Sequence, residues 1–295
     1  MLLLDSGNAL WKVGAAPDSE SRKRAEFVLR TMGKLGTAAM AAGARDLVAG
    51  AGWLKSQAER ARVPVLSANL VDAHGKPIFP ASTVVEIAGK KVALIGASPS
   101  APFEGAKGGP IAASVLAEAK KLRPKSDIVV VLAAVPYADA LQLSREAGNA
   151  VDFILQSHEG RGQGPLQRGD GNWVATSGER GRQLGRLVID AGDGPFVDGG
   201  QIRRNQQALG LLDTQIGQVK KRIELASDGS SRSALEATLR QFTDRKSQVQ
   251  SELQAAQKAG GRKVALDWLT LGPEFREDPA LDAEVKRIEP AGATH

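Results

Sequence analysis

Short apolar runs alternate with amphipathic stretches over residues 1–200. Residues 1–5, MLLLD, are an apolar run closed by the loop signal Asp5-Ser6-Gly7-Asn8. Residues 20–33 place Phe27, Val28 and Met32 on one face of a helix, with Gly33 as its C-cap. Residues 52–62 give a second amphipathic helix, and residues 63–70 a buried strand ending at Ser67 and Asn69. Two β-branched runs then flank Ala88-Gly89-Lys90, which predicts a hairpin. An alanine-rich helix is expected over 110–122 and another over 138–147. Between them SDIVVVLAAV is apolar throughout, the pattern of a strand covered on both faces. Residues 151–160 read as a buried strand entering a loop, and 172–192 as two strands around a glycine-rich turn. Residues 39–50, AMAAGARDLVAG, read as a loop with the outline of a catalytic one: small residues, a glycine, a charged pair, a second glycine.

The periodicity changes after residue 200. Leu209, Leu212, Ile216, Val219 and Ile223 repeat at the 3-4 spacing of a coiled-coil seam. After SDGSSRS the seam resumes with Leu235, Leu239, Phe242, Val249 and Leu253, and Lys246 intrudes. Ser233 and Glu236 have the spacing of a capping box for this second helix. A short loop between two such helices implies an antiparallel hairpin, with arms about 30 Å long. The expected organisation is a mixed α/β domain over 1–200, a helical hairpin over 201–260, and a tail over 261–295. Val264, Leu266, Trp268 and Leu269 give that tail reason to return to the core.

Composition changes this picture in three ways. Aromatic residues are 4% of the 295, so aliphatic side chains and alanine must build the core. There are no cysteines, which removes thiolate metal sites, cysteine nucleophiles and disulfides together. The net charge is +6, yet the basic residues are scattered and not interleaved with aromatics, so no nucleic-acid surface is expected. No apolar run approaches the ~20 residues of a membrane helix. The chain shows no signal-peptide pattern and opens directly on a buried strand, so further sequence upstream is expected.

The order of motifs resembles the metallophosphoesterase domain of the 5'-nucleotidase family. The segment VPVLSANLVDAHGKPIFPASTVVEIAGKKVALIGAS, residues 63–98, carries most of the likeness. LLLDSGNALW is similar to that family's Leu-Leu-Leu-Asp-Ala-Gly-Asp, and SGERGRQLGRLVID to its Gly-x-x-Gly-x-x-Leu-Gly-Arg-Leu ending. VDFILQSHEG is similar to the strand that leads into Gly-His-Ser-His. The resemblance implies a four-layer αββα sandwich with mixed sheets, to which the C-terminal helical hairpin is appended. It also implies two divalent metals at the strand ends, such as Mn, Zn or Ca, that hydrolyse phosphate esters.

The ligand positions do not follow the fold. The family's Asp-x-His has no counterpart, and its bridging aspartate falls on Asn8. Its Gly-Asn-His-Glu loop falls on Gly43-Ala44-Arg45-Asp46, and a later histidine on Ala134. Gly-His-Ser-His falls on Ser157-His158-Glu159-Gly160, so His158 alone remains. A pocket with a neutral amide and a guanidinium offers poor ligation to two dications. The expectation is a degenerate phosphoesterase domain with no catalytic residue, no metal ligand and no cofactor, serving as a binding or structural module. Asn8, Arg45 and His158 are then candidates for holding a phosphate-like anion. The hairpin is a candidate contact for a protein partner. The competing expectation is an active metal-dependent phosphoesterase with a rearranged site. Ser98, Ser157 and Ser177 lie near strand ends, but a serine nucleophile also needs a base in reach. The resemblance implies a periplasmic or envelope location.

Overall fold

A computed structural model describes residues 1–157, 166–177, 181–258 and 260–289. In chain order the elements are β1 (Leu3–Asp5), α1 (Ser19–Lys34), β2 (Thr37–Ala41), α2 (Ala51–Ala61), β3 (Val65–Leu66), β4 (Leu70–Val71), β5 (Ser82–Ile87) and β6 (Lys90–Ala97). They continue with β7 (Pro102–Phe103), β8 (Ala106–Gly108), α3 (Ile111–Leu122), β9 (Ile128–Ala133), α4 (Tyr137–Ala147), β10 (Phe153–Gln156), β11 (Gln167–Arg168) and β12 (Trp173–Thr176). The last are β13 (Gln183–Ile189), β14 (Phe196–Asp198), α5 (Gly199–Leu225), α6 (Gly229–Lys258), β15 (Arg262–Thr270) and α7 (Pro279–Ile288). The chain divides into two compact units, one of Met1–Gly185 with the segment from Trp268 on, the other of Arg186–Asp267.

The first unit holds two main sheets. One is the parallel trio β1-β2-β3; the other has six strands in the order β11-β12-β10-β9-β6-β5. Within the larger sheet β6, β9, β10 and β12 run parallel, while β5 and β11 are antiparallel edges, so the sheet is mixed. The alternation of side chains along a strand builds the layers. Ala93, Ile95, Val129, Val131 and Ile154 face Val115 and Ala119 of α3 and Ala140 and Leu143 of α4 in one apolar cluster. Leu94, Val130 and Leu132 alternate with these, are buried, and face the smaller sheet. A Cβ at Gly96 of β6 would lie 2.1 Å from the Leu66 carbonyl oxygen of β3, so the sheets meet there at a distance only glycine permits. Met40 and Ala42 pack with Leu29 of α1 and Leu54 of α2 in the second cluster. The order is therefore helix, sheet, sheet, helix.

The β5–β6 hairpin turns at Ala88 and Gly89, with φ of 51° and 71°, the two left-handed residues of a type I′ turn. Two local expectations need correction. Residues 39–41, read as the start of a loop, belong to the central strand β2. Ala39, Met40 and Ala41 are fully buried there, and small side chains serve a strand squeezed between a helix layer and a second sheet. Helix α1 runs past Gly33 to Lys34, and the left-handed residue that releases the chain is Gly36.

In the second unit, Phe196, Val197 and Asp198 pair in parallel with Arg262, Lys263 and Val264, and Val264 is fully buried. Helices α5 and α6 have 27 and 30 residues, about 40 and 45 Å at 1.5 Å per residue, longer than expected. The longer second arm follows from its start. Asp228 accepts from the amide of Ser231 at 2.7 Å and caps a helix that begins at Gly229, four residues before Ser233. Val219, Ile223 and Val249 are buried in the seam. The intruding Lys246 ion-pairs across it with Asp213 at 2.5 Å. Among the described residues no helix is long and apolar enough to cross a membrane.

Candidate functional site

The C-terminal ends of β1, β2, β9 and β10 converge in the first unit. A Cβ at Gly7, where φ is +89°, would lie 2.7 Å from both the Ala134 Cβ and the Ala41 carbonyl oxygen. One at Gly43 would lie 2.5 Å from Asn8 Oδ1. Three loops thus approach so closely that two glycines are required, and Asn8 itself takes a left-handed φ of 65° that asparagine tolerates. The structure brings together Asn8, Arg45, Ala134 and Ser157, all four placed here by the motif order. His158 lies outside the described residues.

Asp46 organises this convergence. Its carboxylate is fully buried and accepts four backbone amides. Oδ2 takes Asn8 N at 2.6 Å and Gly43 N at 2.9 Å, and Oδ1 takes Ala9 N at 2.9 Å and Leu10 N at 3.1 Å. Burial pushes the Asp46 pKa up and the four amides oppose the shift. Asp5, on β1, accepts from Gly7 N at 2.7 Å. Its pKa is raised to about 7, first by burial and then by repulsion from Asp46, while the Gly7 amide and Arg45 pull it back.

The other polar groups are also committed. Asn8 Nδ2 donates to the Ser157 carbonyl at 3.2 Å, and Asn8 Oδ1 accepts from Arg45 N at 3.1 Å. The Arg45 guanidinium donates through Nη2 to the Asn8 carbonyl. Ser157 Oγ donates to the carbonyls of Ser6 and Gly7, at 2.7 and 2.8 Å. Sequence reading singled out neither Asp5 nor Asp46 as a site residue. The available signal was Asp46 at the acidic fourth position of the Gly-Asn-His-Glu alignment.

A second buried polar cluster ties the ends of β3 and β6. Asn69 Nδ2 donates to the carbonyls of Ser98 at 2.8 Å and Gly109 at 3.1 Å, and Oδ1 accepts from Ser98 N at 2.9 Å. Ser98 Oγ, fully buried, donates to Ser67 Oγ at 2.9 Å, which in turn accepts from Leu70 N at 3.1 Å. These hydroxyls serve as structural bonds with no base beside them in the cluster. An apolar groove of about 420 Å³, lined by Val63, Val65, Ile78, Phe79 and Pro80 with Lys55 at its side, shares no residue with either cluster.

Two metal ions of the kind the motif order implies need carboxylates and imidazoles with free lone pairs. Among the described residues of this pocket, Asp46 has its oxygens on backbone amides, Asn8 uses both ends of its amide, and Arg45 adds fixed positive charge. Asp5 has one carboxyl oxygen on the Gly7 amide.

No family model matches the sequence, and no curated protein does. Solved structures do match. The sulfate thiohydrolase SoxB of Thermus thermophilus aligns at 24% identity and a TM-score of 0.55, over 64% of this chain and 35% of its own. A 5'-nucleotidase precursor from Thermus thermophilus aligns at 22% and 0.51, over 63% and 41%. The calcineurin-like phosphoesterase YfkN of Bacillus subtilis aligns at 17% and 0.54, over 66% and 73%. The alignments thus span well under half of the first two proteins. At such identities they establish the fold: this chain has the metallophosphoesterase architecture of the 5'-nucleotidases and calcineurin-like phosphoesterases.

Proposed function

We propose that this metallophosphoesterase-fold chain is a catalytically degenerate domain that serves as a binding or structural module. The observation that carries the reading is the commitment of Asp46, Asn8 and Arg45 to bonds within the protein at the strand ends where the fold places hydrolytic chemistry. A carboxylate saturated by four amides is a poor metal ligand and a poor general base. Loss of hydrolysis leaves the scaffold intact, because the joint no longer needs an ion to hold its loops.

Two kinds of ligand follow from this reading. A phosphate-like anion at Arg45 and Asn8 would compete with the Asn8 carbonyl for the guanidinium and would lie beside two carboxyl groups. A protein partner on helices α5 and α6 faces no such competition, and their exposed Leu211 and Leu225 offer apolar contacts. Partner binding through the hairpin is therefore the favoured activity. A periplasmic or envelope location accompanies the fold resemblance.

The test pairs elemental analysis of protein purified without chelators with a phosphatase assay on a generic phosphate ester. The reading expects less than one divalent ion per chain and no chelator-sensitive turnover. Two ions per chain with hydrolysis abolished by chelation would establish the active, rearranged phosphoesterase instead.

A further inference from the structure

Helix α7 lies against α1 within the first unit, and its seat there is made of charge. Glu289, just past the end of α7, pairs with Arg24 Nε at 2.8 Å, and Glu284 pairs with Arg30. Phe27 stands one turn from each arginine, and the Arg30 guanidinium lies 5.8 Å from its ring centroid. Ala25 and Leu29 of α1 turn the other way, into the core cluster. Arg24, Phe27 and Arg30 therefore form an outward row at helical spacing, on a helix with five basic and two acidic side chains.

The α7 side of the contact is amphipathic but thin. Leu281, Glu284 and Ile288 recur on one face and are half-buried, and no residue of the helix is buried. Ion pairs this exposed hold weakly and are screened by salt. The tether before the helix, residues 273–278, is exposed throughout, so α7 can leave α1 without unpairing a strand. Such a seat recognises a pattern and holds it loosely.

We propose that the Arg24–Phe27–Arg30 row is a docking site for an acidic amphipathic helix of a partner protein, and that α7 occupies it in cis as a displaceable competitor. Charge complementarity defines the partner: two carboxylates with apolar side chains between them, spaced as Glu284, Val285, Ile288 and Glu289 are in α7. The row lies apart from the strand-end pocket, so the inference stands or falls independently of the degenerate-site reading.

The probe is a fluorescein-labelled peptide of residues 277–289 with blocked termini, titrated by anisotropy with the full chain. Wild type is compared with Glu284→Lys/Glu289→Lys, which removes the two carboxylates of α7 and frees the row. The reversed chain is expected to bind the peptide about tenfold more tightly than wild type, because a tethered competitor acts at an effective concentration of about a millimolar. Its binding should weaken several-fold between about 50 and about 500 mM NaCl, and adding Arg24→Glu/Arg30→Glu should abolish it. Hydrogen exchange gives a second reading. Residues 277–289 of wild type should lose protection in high salt, down to the level of the reversed chain, while β9 stays protected in both. Equal affinity in the two chains, no binding by the reversed chain, or α7 protection indifferent to salt would each overturn the proposal. Loss of β9 protection in the reversed chain would also overturn it, since α7 would then be part of the core. Binding of the reversed chain to anionic lipid vesicles in place of the peptide would overturn the helix assignment in favour of a membrane surface.

Discussion

Two buried polar joints hold the strand ends of the first unit, one charged and one neutral. Asp46 gathers four amides from the loops after β1 and β2, and Asn69 bridges the segments after β3, β6 and β8. Both answer the same problem: loops that enter a core must find partners for their backbone groups. They differ in cost. An amide can donate and accept, so Asn69 is satisfied by neutral bonds and places no charge in the core. A carboxylate accepts more amides at once but brings a charge, and that charge raises the pKa of Asp5 beside it. The charged joint is therefore the stronger tie, and pH acts on it.

The largest expected effect comes from Asp46→Ala, which leaves four amide donors, three of them buried, without acceptors. At about 1–3 kcal/mol for each stranded group, roughly 4 kcal/mol or more of stability is lost. Urea unfolding checks this, and a loss below about 1 kcal/mol, the size of one ordinary hydrogen bond, would show that the four bonds do not hold the loops. Asn69→Ala should cost about 2–3 kcal/mol through two carbonyls and one amide, with the same loss at pH 5 and pH 8. A pH-dependent loss at Asn69 would erase the contrast between the joints. The smallest effect is also the sharpest. Burial and the neighbouring Asp46 raise the folded pKa of Asp5 from an ordinary 3.8 to about 7, so its folded form holds the proton more tightly. Its contribution favours the fold fully below about pH 4 and is lost as pH rises through about 7. Asp5→Asn keeps an acceptor for Gly7 and cannot ionise. It should match wild type near pH 4 and exceed it by on the order of 1 kcal/mol at pH 8, after allowance for partial exposure. A variant less stable than wild type at pH 8 would mean that ionised Asp5 is needed as a partner of Arg45.

Much of the fold was readable because its signals are local. The apolar run of β9, the β5–β6 turn at Ala88 and Gly89, and the seam of α5 each follow from residues close in sequence. Strand β2 was not readable, because its alanines are chosen by layers that pack on it and have little strand preference of their own. The site divides in the same way. Asn8, Arg45 and Ala134 were placed by motif order alone. Asp46 was aligned with the acidic position of that loop and given no role, since nothing in Gly43-Ala44-Arg45-Asp46 says that four amides from two loops will point at its fourth residue.

By itself the sequence determined the periodicities, the hairpin turn and which residue types stand at the motif positions, since these depend on composition and spacing. Only the tertiary structure decided what those residues bind. Whether a buried carboxylate is a ligand, a base or a knot depends on which donors face it, and those come from loops that meet only when the sheets are packed.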